Sequence, residues 1–237
     1  MRVPDVNLAR PEAAGVDAVL TSLLAMAELV ESSVRQSLHA LRELKSGEAS
    51  QVFLRESNIN ELEVEIDDRA VRLLRQGPVA EADLRLLIAT LRLTNDFERL
   101  GDQAVNVAAR VVSLDAYWPV HAPREISLMA EAVEEMVCNS LRALGSRRVE
   151  LAQAVLEADD RVDAFAEKLS RLLVEAMEKE PRSVPAQVQL LLASRTLERM
   201  ADHATNIAED VIFWLRGLDV RHRLNQLPLH PQVEAEE

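Results

Sequence analysis

The sequence is poor in the residues that mark several large classes of protein. It has one cysteine, Cys138, and therefore no intramolecular disulfide; it also has only six glycines and seven aromatic residues among 237. No apolar run approaches the ~20 residues that a membrane-spanning helix requires. The first 16 residues lack the apolar segment of a secretory signal. We therefore expect a soluble protein without membrane insertion, and the single cysteine fits the reducing cytoplasm.

Charge and composition narrow the class further. Forty acidic residues against 27 basic ones give a net charge of −13, which would repel a nucleic-acid backbone. Leu, Ala, Glu, Val and Arg are abundant, as is typical of a mostly helical chain. The sequence has no glycine-rich phosphate loop, no histidine-containing metal motif and no Ser/His/Asp arrangement. We therefore expect neither an enzyme nor a nucleic-acid-binding protein.

Two halves of the chain repeat each other. Residues 25–41 match residues 128–144 at ten of 17 positions, at an offset of 103. The tract at 98–106 returns at 198–206 with Glu, Arg, Asp, Ala and Asn in register, at an offset of 100. The offset falls from 103 to 100 between these two segments, so one turn of the second copy is three residues shorter. The chain is therefore a tandem duplication.

Each copy contains three helical patterns with an apolar period of 3.6. The predicted helices span 17–44, 48–75, 81–113, 126–144, 148–179 and a last segment that follows the turn at 181–185 and ends at 216. We predict an all-α fold of two pseudo-symmetric, antiparallel three-helix bundles. The repeats would occupy 17–116 and 124–223, with loose termini at 1–16 and 224–237.

Acidic side chains recur four residues apart, and therefore on one helical face, in both copies. On the third helix of each copy they lie opposite the apolar stripe, and the second helix carries a further set beside its own stripe. If these two helices pack together, the oxygens converge and suit a hard or borderline cation, which relieves their repulsion. The candidate ligands are Glu56, Asn60, Glu98, Asp102, Asn106, Asp159, Asp163, Glu198, Asp202 and Asn206.

Structural interpretations of the same residues stay open at this point. Acid pairs of this spacing also occur as solvated helix surface, and Arg99 and Arg199 would then form interhelical ion pairs. His203 is interpreted as a surface residue and Cys138 as an unreactive helix residue. The Glu-x-x-His pairs of di-iron bundle enzymes do not occur in the sequence.

Several motifs together resemble the PhoU family of phosphate-uptake regulators, over residues 17–223. They are DDRVD at 159–163, PRSVP at 181–185, ASRTLERMADHATNI at 193–207, FERLGD at 97–102 and DLR at 83–85. The resemblance implies metal clusters, of iron or zinc or another divalent ion, on the Glu/Asp-x-x-x-Asp motifs. The pair Glu56 and Asn60 departs from that pattern, so the second half carries the fuller acidic set.

The resemblance also implies a role and partners. Members of this family act as cytoplasmic negative regulators that couple the ATPase subunit of the phosphate ABC transporter to a membrane sensor histidine kinase. Dimers or larger oligomers are usual in this family, and a homodimer is expected here. The alternative is a structural or metal-storage bundle without a signalling role.

Overall fold

Residues 11–117 and 119–221 are described by a computed structural model, which contains six long helices and no strand within these ranges. The helices are α1 (Pro11–Glu43), α2 (Ala49–Arg75), α3 (Glu81–Leu114), α4 (Arg124–Ser146), α5 (Val149–Lys179) and α6 (Val184–Arg216). Single turns of 3-10 helix precede α2 and α6 and follow α3. The predicted all-α, six-helix architecture is confirmed.

The first helix is longer than predicted. It begins at Pro11, so residues 11–16 belong to α1 rather than to a loose terminus, and Val16 is buried in the core. Proline is compatible with the first helical position because its missing N–H is not needed there. The other predicted boundaries lie within two residues of the observed ones. The predicted loose ends at 1–10 and 224–237 lie outside the described residues.

The helix ends follow local backbone chemistry. Gly217 takes a left-handed conformation (φ 67°) and donates its N–H to the Phe213 carbonyl, which ends α6 as the sequence predicts. Arg147 has the same conformation (φ 55°) after α4, without being glycine. Its guanidinium lies 5.4 Å from the centre of the Trp214 ring, so a cation–π contact accompanies this turn.

The core is built around α3 and α6. α3 packs on α1 and α2, α6 packs on α4 and α5, and the two central helices pack antiparallel on each other along an interface that we call the seam. α1 and α4 form a second contact between the repeats. The predicted apolar faces are buried, including Phe97 and Leu100 on α3 and Leu197 and Met200 on α6. None of the helices in the described ranges combines the length and apolarity needed to cross a membrane.

Candidate metal centre

The acidic face of α3 lies against α2 and forms a groove with four carboxylates, which we call the first groove: Glu63, Asp67, Glu98 and Asp102. Glu98 keeps only 20% of its side chain exposed. Burial and the neighbouring carboxylates of Asp102 and Glu63 raise the pKa of Glu98, and Arg99 opposes this effect. The predicted pair on α3 therefore points at α2 and not at open solvent.

The α2 half of the first groove comes from residues that the sequence analysis did not select. Burial and the Asp67 carboxylate raise the pKa of Glu63, with Asp102 adding to the effect and Arg99 opposing it. Burial also raises the pKa of Asp67, whose Oδ1 accepts a 2.7 Å hydrogen bond from Thr94. Glu63 faces Glu98 and Asp67 faces Thr94, as antiparallel packing of α2 on α3 requires.

The predicted α2 pair lies nearer the start of the helix. Glu56 is half-buried and Asn60 is exposed, and neither makes a hydrogen bond or ion pair within the described residues. Glu63 and Asp67 have the same four-residue spacing, but their counterparts in the second repeat are Ala166 and Ser170. A search based on the duplication therefore passes over them, although the spacing itself is readable in the sequence.

The second groove, between α5 and α6, contains Asp159, Asp163 and Asp202. Burial raises the pKa of Asp159, followed by the charges of Asp163, Asp202 and Asp160. Asp202 is exposed, and its partial desolvation raises its pKa, with His203 opposing and Asp163 adding to the effect. These three predicted carboxylates are therefore neighbours across two helices, as the sequence-based hypothesis requires.

Glu198 is turned differently from Glu98. Its carboxylate accepts two hydrogen bonds from Arg195, at 2.9 and 3.1 Å, on the same helix. On α3 the position equivalent to Arg195 is Asn95, which carries no charge. The sequence analysis expected the fuller acidic set in the second half because it did not count Glu63 and Asp67. With these two residues, the first groove contains four carboxylates.

The two asparagines of the repeated tract also differ. Asn106 is exposed. Asn206 donates from Nδ2 to Asp96 Oδ1 over 3.3 Å, so it lies at the seam rather than in the second groove. His203 joins it there, with its Nδ1 2.8 Å from the same Asp96 oxygen. The interpretation of His203 as a surface residue is wrong, because it connects the two repeats.

A second polar contact crosses the seam one turn away. Arg92 donates to Asp210 Oδ1 over 3.0 Å and lies 5.0 Å from the centre of the Phe213 ring. Burial raises the pKa of Asp210 to about 6, against the opposing effect of Arg92. A cavity of about 580 Å³ connects this region to Glu63 and Asp67. The first groove therefore opens toward the interface between the repeats.

In the side-chain conformations of the described residues, no three His, Cys, Asp or Glu side chains converge on a single point. The donor chemistry nevertheless fits a hard cation, because carboxylates of two helices lie close enough to raise one another's pKa. A bound ion would therefore require the carboxylates of each groove to turn toward it.

Comparisons with known proteins agree with the duplicated architecture. The family model described as "PhoU domain" matches the chain twice, at residues 23–111 and 126–211. The chain is 38% identical over 212 residues to the phosphate-specific transport system accessory protein PhoU homolog of Pseudomonas aeruginosa, covering 88% of this chain and 87% of that protein. It is 28% identical over 211 residues to the PhoU protein of Serratia marcescens, covering 88% and 86%.

Two crystal structures have the same fold. PhoU from Pseudomonas aeruginosa superposes with a TM-score of 0.82 at 37% identity, over 86% of this chain and 99% of that one. The phosphate transport system regulatory protein PhoU from Streptococcus pneumoniae gives 0.79 at 25% identity, over 88% and 99%. Because the family model matches both repeats, this chain is a member of the PhoU family, whose proteins are regulatory and not enzymatic.

Proposed function

We propose that this chain is a metal-binding negative regulator of phosphate uptake and of the response to phosphate starvation. The relatives that it resembles over most of its length are phosphate transport accessory and regulatory proteins. The observation that carries the metal-binding part is the first groove, in which half-buried carboxylates of two helices lie close enough for their charges to raise the pKa of Glu63 and Glu98. A cation bound there would relieve that repulsion.

Iron or zinc is the proposed metal. These are the metals that the family resemblance implies: zinc accepts Asp and Glu ligands, and all-oxygen sets of this kind also suit other divalent cations. In the first groove the ion would be held by Glu63, Asp67, Glu98 and Asp102. In the second it would be held by Asp159, Asp163 and Asp202, with Glu198 released from Arg195. Glu56, Asn60, Asn106 and Asn206 are not proposed as ligands, because no hydrogen bond in the described residues joins them to either group of carboxylates.

The proposed partners are those that the family resemblance implies. We propose that the protein acts in the cytoplasm as a homodimer and couples the ATPase subunit of the phosphate ABC transporter to a membrane sensor histidine kinase. The observation in support is the similarity to accessory proteins of the phosphate-specific transport system. A metal-storage bundle without a signalling role is the competing function, and the experiments below separate the two.

The signalling function is tested by deletion in the host with a phosphate-starvation reporter. We expect the reporter to become active in phosphate-rich medium and to be silenced again by the intact chain. A strain that also lacks any second gene of this family serves as the background. Unchanged reporter output in that background would overturn the regulatory function and leave storage as the explanation of metal binding.

Metal binding is tested separately on the purified protein. We expect more than one iron or zinc ion per chain after reconstitution, measured by elemental analysis. A variant with Glu98→Ala, Asp102→Ala, Glu198→Ala and Asp202→Ala should lose most of this metal while keeping its helical circular dichroism. Undiminished metal content in the variant would remove these residues from the site.

A further inference from the structure

A cavity of about 520 Å³ lies on the second repeat, apart from both grooves. We call it the linker pocket. Its walls are the linker between the repeats (residues 117 and 119–121), the end of α5 and the first turns of α6. This volume falls in the usual range of small-molecule sites in proteins. None of the groove carboxylates lines it.

The first repeat provides an internal comparison for the linker pocket. At the equivalent place, where α2 ends and α3 begins, the cavity is only about 10 Å³. Leu73 lines that small cavity, and Leu87 in the first turns of α3 is fully buried. The equivalent positions of the second repeat are Ala176 and Gln187, and both line the large cavity. The large pocket therefore accompanies a smaller side chain at 176 and a polar one at 187, together with the shorter turn and the linker wall of the second repeat.

Gln187 is an unusual residue for this position. It is only 4% exposed, and its Nε2 donates to the His121 backbone carbonyl over 3.4 Å. Its Oε1 is buried and has no hydrogen-bond partner among the described residues. Buried side-chain acceptors are normally satisfied. A ligand that brings an O–H donor into the pocket would satisfy this one.

The charged groups around the pocket define the rest of the ligand. Lys179, Arg182 and His121 line the cavity, and Glu180 is the one carboxylate among its described lining residues. Lys179 shares a 3.4 Å ion pair with exposed Glu175, whereas Arg182 has no ion-pair partner in the described part of the chain. Two cations therefore oppose one carboxylate in the lining, so the cavity is locally less acidic than the chain as a whole, whose net charge is −13.

We propose that the linker pocket binds a hydrogen phosphate group, either as free orthophosphate or as the monoester of a small hydroxylated molecule. The phosphate oxygens would accept from Arg182 and Lys179, which suit such anions through charge-assisted hydrogen bonds. A hydroxyl of the phosphate or of its ester would donate to Gln187 Oε1. This site goes beyond the function proposed above, since it needs neither a bound metal nor a protein partner.

Calorimetric titration of the full-length, metal-free protein tests the proposal. The probes are orthophosphate, glycerol 3-phosphate and sulfate at equal ionic strength, with a chelator present to keep the grooves empty. We expect saturable binding of a phosphate probe and weak binding of sulfate, which has no proton to donate at neutral pH. Equal affinity for both phosphate probes would identify the free ion as sufficient. Binding of glycerol 3-phosphate alone would identify an ester as the ligand.

Matched variants assign the binding to this cavity. Gln187→Leu restores the first-repeat residue and removes the acceptor, and Lys179→Ala with Arg182→Ala removes the positive charge. We expect each to weaken phosphate binding at least tenfold. Arg161→Ala with Arg171→Ala, which changes the net charge equally on the exposed face of α5, should leave it unchanged.

A third variant tests the cavity itself without changing its polar groups. Ala176→Leu places in the pocket the residue that the first repeat has there, so it should fold normally and abolish binding. The proposal is overturned if neither phosphate probe binds saturably, if sulfate binds as tightly, or if the three variants at positions 176, 187 and 179 with 182 all bind like the parent. None of these results bears on metal content or on the starvation reporter, so the two proposals fail separately.

Discussion

Gly101 on α3 and Ile59 on α2 meet at a point where no further atom fits without movement. A β-carbon placed on Gly101 would lie 3.1 Å from Ile59 Cδ1 and 3.4 Å from its Cγ2. In the second repeat the equivalent residues are Ala201 and Val162, both buried. At these equivalent positions one methyl group has therefore moved from the α2-type helix to the α3-type helix.

This exchange predicts a compensating pair of substitutions. Gly101→Ala should be less stable than expected from its higher helix propensity, because Ile59 must shift within a close-packed core. Adding Ile59→Val, which alone costs about 0.5–1.5 kcal/mol, should recover part of that loss and give a favourable coupling of about 1 kcal/mol. Urea unfolding of the four proteins in the cycle measures the coupling.

Gly145 on α4 is the control for this cycle. Its added β-carbon would lie 3.7 Å from Leu24 Cδ2, which is an ordinary contact. Gly145→Ala should therefore gain about 0.5–1 kcal/mol, because alanine is the better helix former. Equal effects of Gly145→Ala and Gly101→Ala, or an absence of coupling with Ile59→Val, would contradict the tight packing of α2 on α3.

The first groove predicts that Glu63 and Asp67 contribute to metal binding. Glu63→Gln with Asp67→Asn should weaken iron or zinc binding by at least about tenfold, as loss of groups in or around a metal site does. Without metal, the same variant should be more stable than the parent, because it removes charges that burial and neighbouring carboxylates disfavour. Thermal unfolding with and without metal measures both effects.

Glu61→Gln with Glu65→Gln is the matched control for the groove variant. These two residues lie on the same helix, four residues apart, and both are exposed, with Glu65 paired to Arg69. Their replacement should leave metal binding nearly unchanged, since exposed ion pairs contribute little. If the control and the groove variant lose metal equally, the effect is one of net charge and the assignment of Glu63 and Asp67 fails.

The fold was readable from the sequence because the duplication and the helical period give independent evidence for the same elements. Ten of 17 matches between two segments identify the repeat, and the buried stripe that includes Phe97 and Leu100 identifies the inward face of α3. The start of α1 was missed because prolines in a polar segment are typical of a loose terminus, whereas Pro11 begins the helix.

The candidate site was only partly readable, because a helical wheel gives the face of a residue but not its partner. Glu98 and Asp102 were placed correctly on one face, yet their α2 neighbours depend on how far one helix is shifted along the other. That shift brings Glu63 to Glu98. His203 was misjudged for the same reason, since its partner Asp96 comes from the other repeat, 107 residues away.

The raised pKa of Asp210 predicts that the stability of the fold decreases as the pH rises. Its pKa is about 6 in the folded protein, above the ordinary 3.8, so between these values the folded state holds a proton that the unfolded chain has released. This contribution therefore stabilises the fold at low pH and is lost as the pH rises through about 6, with a size of up to about 3 kcal/mol.

Asp210→Asn isolates this contribution. The difference in free energy of unfolding between parent and variant should shift in the parent's favour as the pH falls from 7 to 4. Urea unfolding at unit steps of pH measures this difference, and Glu157→Gln, which changes an exposed carboxylate, is the control. A difference that does not vary with pH would mean that Asp210 is not the buried, raised-pKa group that faces Arg92.

His203 predicts that the two repeats depend on one hydrogen bond for part of their association. His203→Ala should cost about 1–3 kcal/mol, because the Asp96 carboxylate, only 7% exposed, keeps only Asn206 as a side-chain donor. Gln103→Ala is the matched control: it lies at the equivalent position of the first repeat, and its buried Oε1 has no partner among the described residues. Its replacement should cost less than that of His203, because it removes no such hydrogen bond. If urea unfolding gives equal losses for both variants, the effect of His203 is one of packing alone, and the bond to Asp96 does not stabilise the seam.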